Sequence, residues 1–262
     1  MNDRFSTTEL RVSEFERYSR QIMLDGWGEQ GQLQLKNSRV VIIGCGGLGN
    51  VVATYLAGAG VGTMSLIDGD DVELSNLPRQ IAFDRDSCGL NKADELTQRL
   101  FSQNDDIDIH VNPLFLDVDN VDELLQEHDL VIDCSDNFET RRLINQWCVT
   151  NKLALLSASV IGWQGQALLV LPNSEYGCYQ CLFDVTSTQE NSCQSMGVNP
   201  AMVGVIGSYQ ANEALRFLLK LPSKLSSHVS LIDGVHFSIN QFLRTGNPNC
   251  EVCANMKEPN ND

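Results

Sequence analysis

The stretch Arg39-Val-Val-Ile-Ile43, which leads directly into Gly44-Cys45-Gly46-Gly47-Leu48-Gly49, decides the fold of this chain. The first five residues form a short apolar, β-branched run that is typical of a strand buried on both faces. The glycines fit the pattern GxGxxG, and the following residues, Val51 to Ala59, are typical of a helix. In a strand–turn–helix setting, such glycines let backbone N–H groups approach phosphate oxygens at the positive end of the helix. The glycines expected at the phosphates are Gly44, Gly46, Gly47 and Gly49.

A second predicted strand, Thr63–Ile67, ends at an acidic residue that strengthens this interpretation. Asp68 lies 19 residues beyond Gly49, where a carboxylate can accept hydrogen bonds from ribose hydroxyls. The alternative is a glycine turn that merely packs a helix against a sheet.

Alternating strand and helix patterns extend this unit along the chain. Strands are predicted near 39–43, 63–67, 107–111 and 129–133, and helices near 47–59, 91–102, 119–127 and 138–150. This alternation predicts an α/β fold with a Rossmann-like, mostly parallel sheet and helices on both faces. Residues 13–37 are predicted to be helical and precede the sheet.

The pattern changes after Leu153. Strands are predicted at 154–159 and 166–172, a helix at 201–219, and a closing strand pair at 228–232 and 235–243. We therefore expect residues 1–262 to form a single domain that ends in an antiparallel part, with 1–12 frayed and 184–195 in a mobile loop.

Two Cys-x-x-Cys pairs predict a metal site that links two distant segments of this antiparallel part. Cys178 and Cys181 are separated from Cys250 and Cys253 by 68 residues. Four thiolates suit tetrahedral Zn²⁺ and leave no open coordination position, so the predicted zinc is structural. The alternative is that four unrelated small residues share this spacing by chance.

Composition excludes several classes of partner. The chain has 262 residues, 42% of them hydrophobic, and a net charge of −16 that argues against nucleic acid as a partner. It contains no apolar run of the roughly 18 residues that a membrane span needs. The N-terminal residues have no signal-peptide character, and nine cysteines suit a reducing compartment, so a cytoplasmic location is expected.

Several motifs, in this order, resemble the ThiF/MoeB family, whose members are related to ubiquitin-activating enzymes. They are RYSRQ from residue 17, GCGGLG, the strand end at Asp68, SNLPRQ from residue 75, Lys92, DCSDN from residue 133, CYQC, GVIG to residue 207 and CEVC. The resemblance covers about residues 15–255. It implies a homodimer that binds ATP at the carboxyl ends of the parallel strands. It also implies adenylation of the C-terminal glycine of a small ubiquitin-like sulfur-carrier protein, ThiS or MoaD.

This resemblance gives roles to residues that carry suitable chemistry. Carboxylate attack on the ATP α-phosphate joins two anions, and Arg79 and Lys92 would supply positive charge for the phosphates. Asp136 would hold Mg²⁺ and Asn76 would orient phosphate oxygens, while Ser75 and Asn137 complete the expected nucleotide site. Without the resemblance, Arg79 and Lys92 could be solvated surface residues, Asp136 a helix cap and Asn76 a turn former.

Three further residues depend on the family alone or depart from it. The resemblance implies that Arg20 reaches the ATP of the other subunit, although it could be an exposed helix charge. Pro78 stands where glutamine is expected and lacks an N–H group, which puts a backbone contact there in doubt. Cys193 matches a cysteine that can form an acyl disulfide with the carrier, but it could also be inert.

Two other function classes compete with carrier adenylation. An NAD-dependent oxidoreductase would explain the glycines and Asp68, but not Arg79, Lys92 or the predicted four-cysteine zinc site. A non-enzymatic protein that binds a ubiquitin-like partner would be expected to lack Arg79, Lys92 or Asp136. Within the family, residues 60–63 and 231–234 favour a ThiF-type protein acting on ThiS, whereas 247–253 favours a MoeB-type protein acting on MoaD. No rhodanese segment follows, so the sulfur donor is expected to be a separate protein.

Overall fold

A computed structural model describes residues 8–183 and 197–254 and contains an eight-stranded mixed sheet. The strands are β1 (Arg39–Ile43), β2 (Thr63–Ile67), β3 (Asp108–Asn112), β4 (Leu130–Asp133), β5 (Leu155–Ile161), β6 (Gln164–Val170), β7 (His228–Asp233) and β8 (Ser238–Leu243). Their order across the sheet is β3-β2-β1-β4-β5-β6-β7-β8. The first five strands in this order are parallel, and β5 to β8 pair antiparallel, as the sequence predicts.

Helices cover both faces of the sheet. They are α1 (Val12–Ile22), α2 (Gly28–Lys36), α3 (Gly47–Ala59), α4 (Lys92–Gln103), α5 (Val121–Leu125), α6 (Phe138–Thr150), α7 (Tyr179–Leu182) and α8 (Pro200–Leu218). Short 3₁₀ turns lie at Leu74–Asn76 and Lys224–Ser226. No helix within the described part of the chain is long and apolar enough to cross a membrane.

Alternate residues of the central strands supply two hydrophobic cores. Val40 and Ile42 of β1 join the core beneath α3, α4 and α8. Val41 and Ile43 face the opposite side, where the second core extends through α6 to Cys178 and Cys250. This two-sided burial explains why β1 is a continuous apolar run.

Three predicted boundaries differ from the structure. The predicted helix over 13–37 is two helices, α1 and α2. The chain turns between them at Gly26, whose φ of 79° is favourable only for glycine. The predicted strand at 235–243 begins only at Ser238, since Asp233 Oδ1 accepts a hydrogen bond from Val235 N at 2.8 Å and closes a turn. The predicted helix at 119–127 is only the short α5.

The expectation of a frayed segment over 1–12 fails for its last part. Leu10 is buried, and Arg11 Nη2 lies 2.6 Å from Asp106 Oδ1. These contacts anchor the chain before α1 begins. Residues 1–7 and the predicted mobile loop at 184–195 lie outside the described residues.

The sheet order places a crevice between β1 and β4. The chain runs outward from β1 through β2 to β3, and then returns to the other side of β1 as β4. In open α/β sheets, ligands bind beyond the carboxyl ends of strands at such a reversal.

Candidate nucleotide site and cysteine cluster

A cavity of about 680 Å³ lies at this crevice. Its lining comes from the turns after β1, β2 and β4, the segment before α4, and residues near the start of α8. The volume lies within the range of small-molecule and cofactor sites, about 300–1,000 Å³.

The glycine turn after β1 forms one wall of the cavity. Gly44, Gly46 and Gly47 line it, and Gly47 is the first residue of α3, a helix of 13 residues. Backbone N–H groups at that helix start can bind an anion. Gly49 does not line the cavity; a Cβ there would lie 1.8 Å from Gly44 O, so this glycine is needed for close helix–strand packing.

Asp68 is held rigidly at the end of β2. Its Oδ2 accepts a hydrogen bond from Cys45 N at 2.7 Å, and its Oδ1 accepts one from Asp70 N at 2.8 Å. Burial raises the pKa of this carboxyl group, while the Asp70 N–H and the positive charge of Lys92 oppose the rise. The carboxylate thus lines the cavity in a fixed orientation.

Lys92 lies at the start of α4 and faces the cavity with little solvent exposure. Its Nζ donates to Asp70 Oδ2 at 2.9 Å, and Asp70 is itself a lining residue with a half-exposed side chain. Asn91, which caps α4, holds the start of this helix next to the turn after β2. Its Nδ2 donates hydrogen bonds to Asp68 O and Asp70 O, each at 3.1 Å. The ammonium group therefore already has a carboxylate partner within the cavity lining.

Arg79 also lines the cavity, on the turn that follows the first 3₁₀ segment. Its Nη1 donates to Ser75 O at 2.9 Å, which orients the guanidinium group. The N–H groups of Arg79 and Gln80 both donate to Asn76 O at 3.0 Å. Pro78 lies inside this turn, and neither of these two hydrogen bonds involves the N–H group that proline lacks.

Asn76 lines the cavity while also stabilising its turn. It is buried, and its Oδ1 accepts a hydrogen bond from Glu73 N at 3.3 Å. Ser75 does not line the cavity; its Oγ donates to Glu73 Oε2 at 3.0 Å.

Asp136 and Asn137 follow β4 but have different positions. Asp136 lines the cavity with an exposed side chain, whereas Asn137 does not line it. Asn137 is the N-cap of α6, and its Oδ1 accepts a hydrogen bond from Thr140 N at 2.9 Å. The capping role that the sequence left open for Asp136 therefore belongs to Asn137, and the Asp136 carboxylate faces the cavity.

Acidic groups outnumber basic groups in the described lining of the cavity. The carboxylates belong to Asp68, Asp70, Asp71, Glu73 and Asp136, and the cations to Arg79, Lys92 and Arg141. A polyphosphate would meet net negative charge here. A divalent cation held by an exposed carboxylate such as Asp136 would offset that repulsion, and oxygen ligands suit Mg²⁺. The donor set thus fits Mg²⁺ bound together with a nucleotide.

Arg141 is the lining cation that the sequence interpretation missed. Its side chain is buried, and Nη2 donates to Ser135 O at 2.5 Å. The sequence contained a signal for this role. An arginine near the N-terminus of a helix is repelled by the positive end of the helix dipole, so a compensating hydrogen-bond acceptor is expected nearby. That acceptor lies in the turn after β4.

Arg20 joins Gly49, Ser75 and Asn137 as a predicted site residue that does not line the cavity. Arg20 lies near the end of α1 with an exposed side chain and does not line the cavity of its own chain. Cys193 lies outside the described residues.

The four predicted metal ligands converge. Sγ of Cys178 lies 3.8 Å from Sγ of Cys250, and Sγ of Cys181 lies 3.4 Å from Sγ of Cys253. All four sulfur atoms are within 4.8 Å of one another. Zinc–sulfur bonds of about 2.3 Å in a tetrahedron place sulfur atoms about 3.8 Å apart, so the cluster fits Zn²⁺.

The surroundings of the cluster also favour a bound cation. Burial raises the pKa of the Cys178 thiol to about 11 and also raises the pKa of Cys253. Burial acts the same way on Cys181, but hydrogen bonds, first that from Asn247 N at 3.4 Å, outweigh it and lower its pKa. Thiolates buried in this way need a compensating positive charge, which a metal ion supplies.

Comparisons with known proteins agree with this geometry. A profile of the ThiF family matches residues 18–252. The sulfur carrier protein ThiS adenylyltransferase of Escherichia coli K12 is 40% identical over 254 residues, covering 97% of this chain and 97% of that protein. Adenylyltransferase and sulfurtransferase MOCS3-1 of Drosophila pseudoobscura pseudoobscura is 39% identical over 250 residues, covering 94% of this chain. The chain spans 55% of that longer relative.

Solved structures give the same fold. The crystal structure of E. coli MccB with ATP superposes with a TM-score of 0.78 at 28% identity, covering 90% of this chain and 74% of that one. MccB with MccA-N7isoASN gives a TM-score of 0.80 at 28% identity, with the same coverage of both chains.

Proposed function

Because the chain belongs to the ThiF family, we propose that it adenylates the C-terminal glycine carboxylate of a small ubiquitin-like sulfur-carrier protein. The reaction consumes ATP and releases pyrophosphate. The observation that carries this proposal is the convergence of the glycine turn, Arg79, Lys92 and Asp136 on one cavity at the reversal of strand order.

The proposed reaction is displacement at the α-phosphorus. A carrier carboxylate oxygen attacks the α-phosphorus, the bond to the bridging oxygen of the β-phosphate breaks, and pyrophosphate leaves. Little covalent chemistry is required of the protein, so positioning and neutralisation of charge account for most of the catalysis. Arg79 and Lys92 supply fixed positive charge, and Asp136 would hold the Mg²⁺ that adds charge at the phosphates.

The remaining groups position the nucleotide. Asp68 accepts hydrogen bonds from ribose hydroxyls, and the N–H groups at the start of α3 bind phosphate oxygens. Asn76 orients an adenylate or phosphate oxygen from its fixed turn. Ser75 acts through its carbonyl group, which holds Arg79, and Asn137 acts by capping α6.

The carrier that fits best is of the ThiS type. The supporting observation is the similarity to the E. coli ThiS adenylyltransferase over nearly the full length of both proteins. The MoaD-type alternative has support in residues 247–253 and in the nearly equal identity to a MOCS3 protein. Either pathway would need a sulfur donor protein in addition to this chain.

We further propose that Zn²⁺ occupies the cysteine cluster and that the enzyme is a homodimer. Arg20 would then serve the active site of the second subunit, which accounts for its exposed position outside its own cavity. Inactive Arg20→Ala and inactive Asp136→Ala subunits, when mixed, should recover activity in heterodimers that carry one intact site. Heterodimers that form without regaining activity would contradict this assignment.

Pyrophosphate exchange tests the function and the carrier together. The protein is incubated with ATP, Mg²⁺ and labelled pyrophosphate, and purified ThiS-type and MoaD-type carriers are added separately. Exchange that depends on the ThiS-type carrier supports the proposal. Exchange only with the MoaD-type carrier would mean that the chain adenylates that carrier instead. If neither carrier supports exchange while the protein binds NAD rather than ATP, the oxidoreductase alternative is correct.

A further inference from the structure

Helix α6 touches both the nucleotide site and the cysteine cluster through two buried side chains. Arg141 and Asn145 lie four residues apart on α6, with exposures of 6% and 0%. Residues at this spacing occupy the same face of a helix. One of them contacts the cavity wall and the other contacts a predicted metal ligand.

Arg141 fixes the turn that carries Asp136. Its Nη2 donates to Ser135 O at 2.5 Å, and its Nε lies 3.9 Å from Asp133 Oδ2. Asp133 is in turn fixed, because its Oδ1 accepts a hydrogen bond from Ser135 Oγ at 2.6 Å and its Oδ2 accepts one from Ser157 Oγ at 2.5 Å. The cavity wall after β4 therefore depends on the position of the Arg141 guanidinium group.

Asn145 holds the first Cys-x-x-Cys pair. Its Nδ2 donates to Cys178 Sγ at 3.5 Å, and its Oδ1 accepts a hydrogen bond from Tyr179 N at 3.0 Å. An N–H donor to a metal-bound thiolate stabilises its negative charge and fixes its direction. Asn145 thus positions a ligand without being one.

Tyr179 ties the first Cys-x-x-Cys pair to α6. It is the residue directly after Cys178, its side chain is buried, and its backbone N–H donates to Asn145 Oδ1 at 3.0 Å. The segment that carries the metal ligand is therefore held to the same helix that carries Arg141.

We propose that α6 couples metal binding at the cysteine cluster to nucleotide binding in the cavity. Arg141 and Asn145 are the positioning residues that carry this coupling. When the metal is bound, Cys178 and Tyr179 hold α6 in the position at which Arg141 orders the Ser135–Asp136 turn. Loss of the metal frees α7, loosens α6 and weakens nucleotide binding. The inference rests on the proposed function, since it takes ATP as the ligand of the cavity.

Coupling between two sites is reciprocal, which gives a test that needs no variant. If metal occupancy strengthens ATP binding, ATP must strengthen metal binding by the same factor, and typical couplings are about 5- to 150-fold. The zinc-loaded protein is equilibrated with increasing concentrations of a zinc-selective chelator, with and without saturating Mg²⁺–ATP. Zinc retained at equilibrium is measured by atomic absorption and gives the zinc affinity, and ATP binding is measured separately by calorimetry. We expect ATP to raise the zinc affinity at least about 5-fold.

Two variants and two controls locate the coupling on α6. Asn145→Ala should bind zinc more weakly than the wild type, and ATP should not raise its zinc affinity. Arg141→Lys should have the wild-type zinc affinity without ATP, and ATP should no longer raise it. The exposed neighbours on the same helix supply matched controls, Gln146→Ala for Asn145 and Arg142→Lys for Arg141, and both should behave as the wild type.

The outcomes separate this inference from the proposed function. Wild-type protein that binds ATP but has the same zinc affinity with and without it would overturn the coupling and leave adenylation intact. Wild-type protein that fails to bind ATP would overturn both. If Asn145→Ala does not fold, the wild-type zinc affinities and Arg141→Lys still decide, because neither depends on that variant.

Discussion

The nucleotide cavity and the cysteine cluster of this chain are assembled in different ways. The cavity takes different chemical groups from the ends of β1, β2 and β4 and from the starts of four helices, α3, α4, α6 and α8. The cluster takes four identical atoms from two short segments that are 68 residues apart. The cavity is open and lined by charges of both signs, whereas Cys178 and Cys250 of the cluster are buried in a hydrophobic core.

This difference suits the two proposed roles, in which the cavity would perform chemistry and the cluster would hold the structure together. Preorganised charges at a cavity stabilise a transition state and contribute little to folding. Buried thiolates on a metal contribute to folding, because the site does not exist in the unfolded chain. Substitutions in the two sites should therefore have opposite signatures in activity and stability measurements.

The largest expected effect is on activity in the cavity. Lys92→Ala or Arg79→Ala should each lower pyrophosphate exchange at least about 10²-fold, because each removes one preorganised charge at the phosphates. Circular dichroism melting should show little change in stability. Arg99→Ala, on the exposed side of α4, is the matched control for Lys92. Near-normal exchange in either cavity variant would count against the ATP site.

At the cluster the expected effect is on stability. Cys250→Ser should lower the melting temperature and the zinc content together, because three ligands hold the ion less tightly than four. Cys88→Ser replaces an exposed cysteine outside the cluster and should change neither quantity. A Cys250→Ser protein with unchanged stability, or a wild type without metal, would show that the cluster is not a structural zinc site.

A smaller effect is expected at the ion pair between Lys92 and Asp70, which both line the cavity. Asp70→Asn removes the carboxylate that holds Lys92 Nζ at 2.9 Å and one negative charge from the lining. The dissociation constant for ATP should fall about 2- to 5-fold, since exposed ion pairs contribute roughly 0.2–1 kcal/mol. Calorimetry measures this change, and Asp71→Asn controls for the loss of charge alone. Weaker binding in Asp70→Asn would mean that Asp70 contacts the nucleotide or its metal.

The smallest expected effect on adenylation is at Cys193. The carrier carboxylate, not a thiol, attacks ATP, so Cys193→Ala should leave pyrophosphate exchange nearly unchanged. If a persulfide donor transfers its outer sulfur to this thiol, the resulting Cys193 persulfide attacks the carrier adenylate and displaces AMP. The variant should then fail to form a reducible adduct with the adenylated carrier in the presence of the persulfide donor. Mass spectrometry of the wild-type adduct distinguishes the chemistry: an extra sulfur atom indicates an acyl disulfide. An adduct formed from ATP and carrier without a sulfur donor indicates a thioester instead.

Much of the fold follows from local patterns in the sequence. The β-branched run at 39–43 and the glycines after it determine a strand, a turn and a helix, because each depends on neighbouring residues alone. Asp68 could be assigned to the cavity because the carboxyl ends of parallel strands meet at one edge, whereas the assignment of Asp136 came from the family resemblance. The two cysteine pairs predict their own meeting, since a shared ion accounts for their spacing.

Tertiary structure alone decided which distant side chains meet. The Lys92–Asp70 pair joins residues 22 apart in the chain, and the contact of Asn145 with Cys178 Sγ joins residues 33 apart. Sequence periodicity places a residue on a helix face but does not say which distant group lies opposite. That choice depends on the strand order and on how closely glycines such as Gly49 let helix and strand approach, which only the packed core determines.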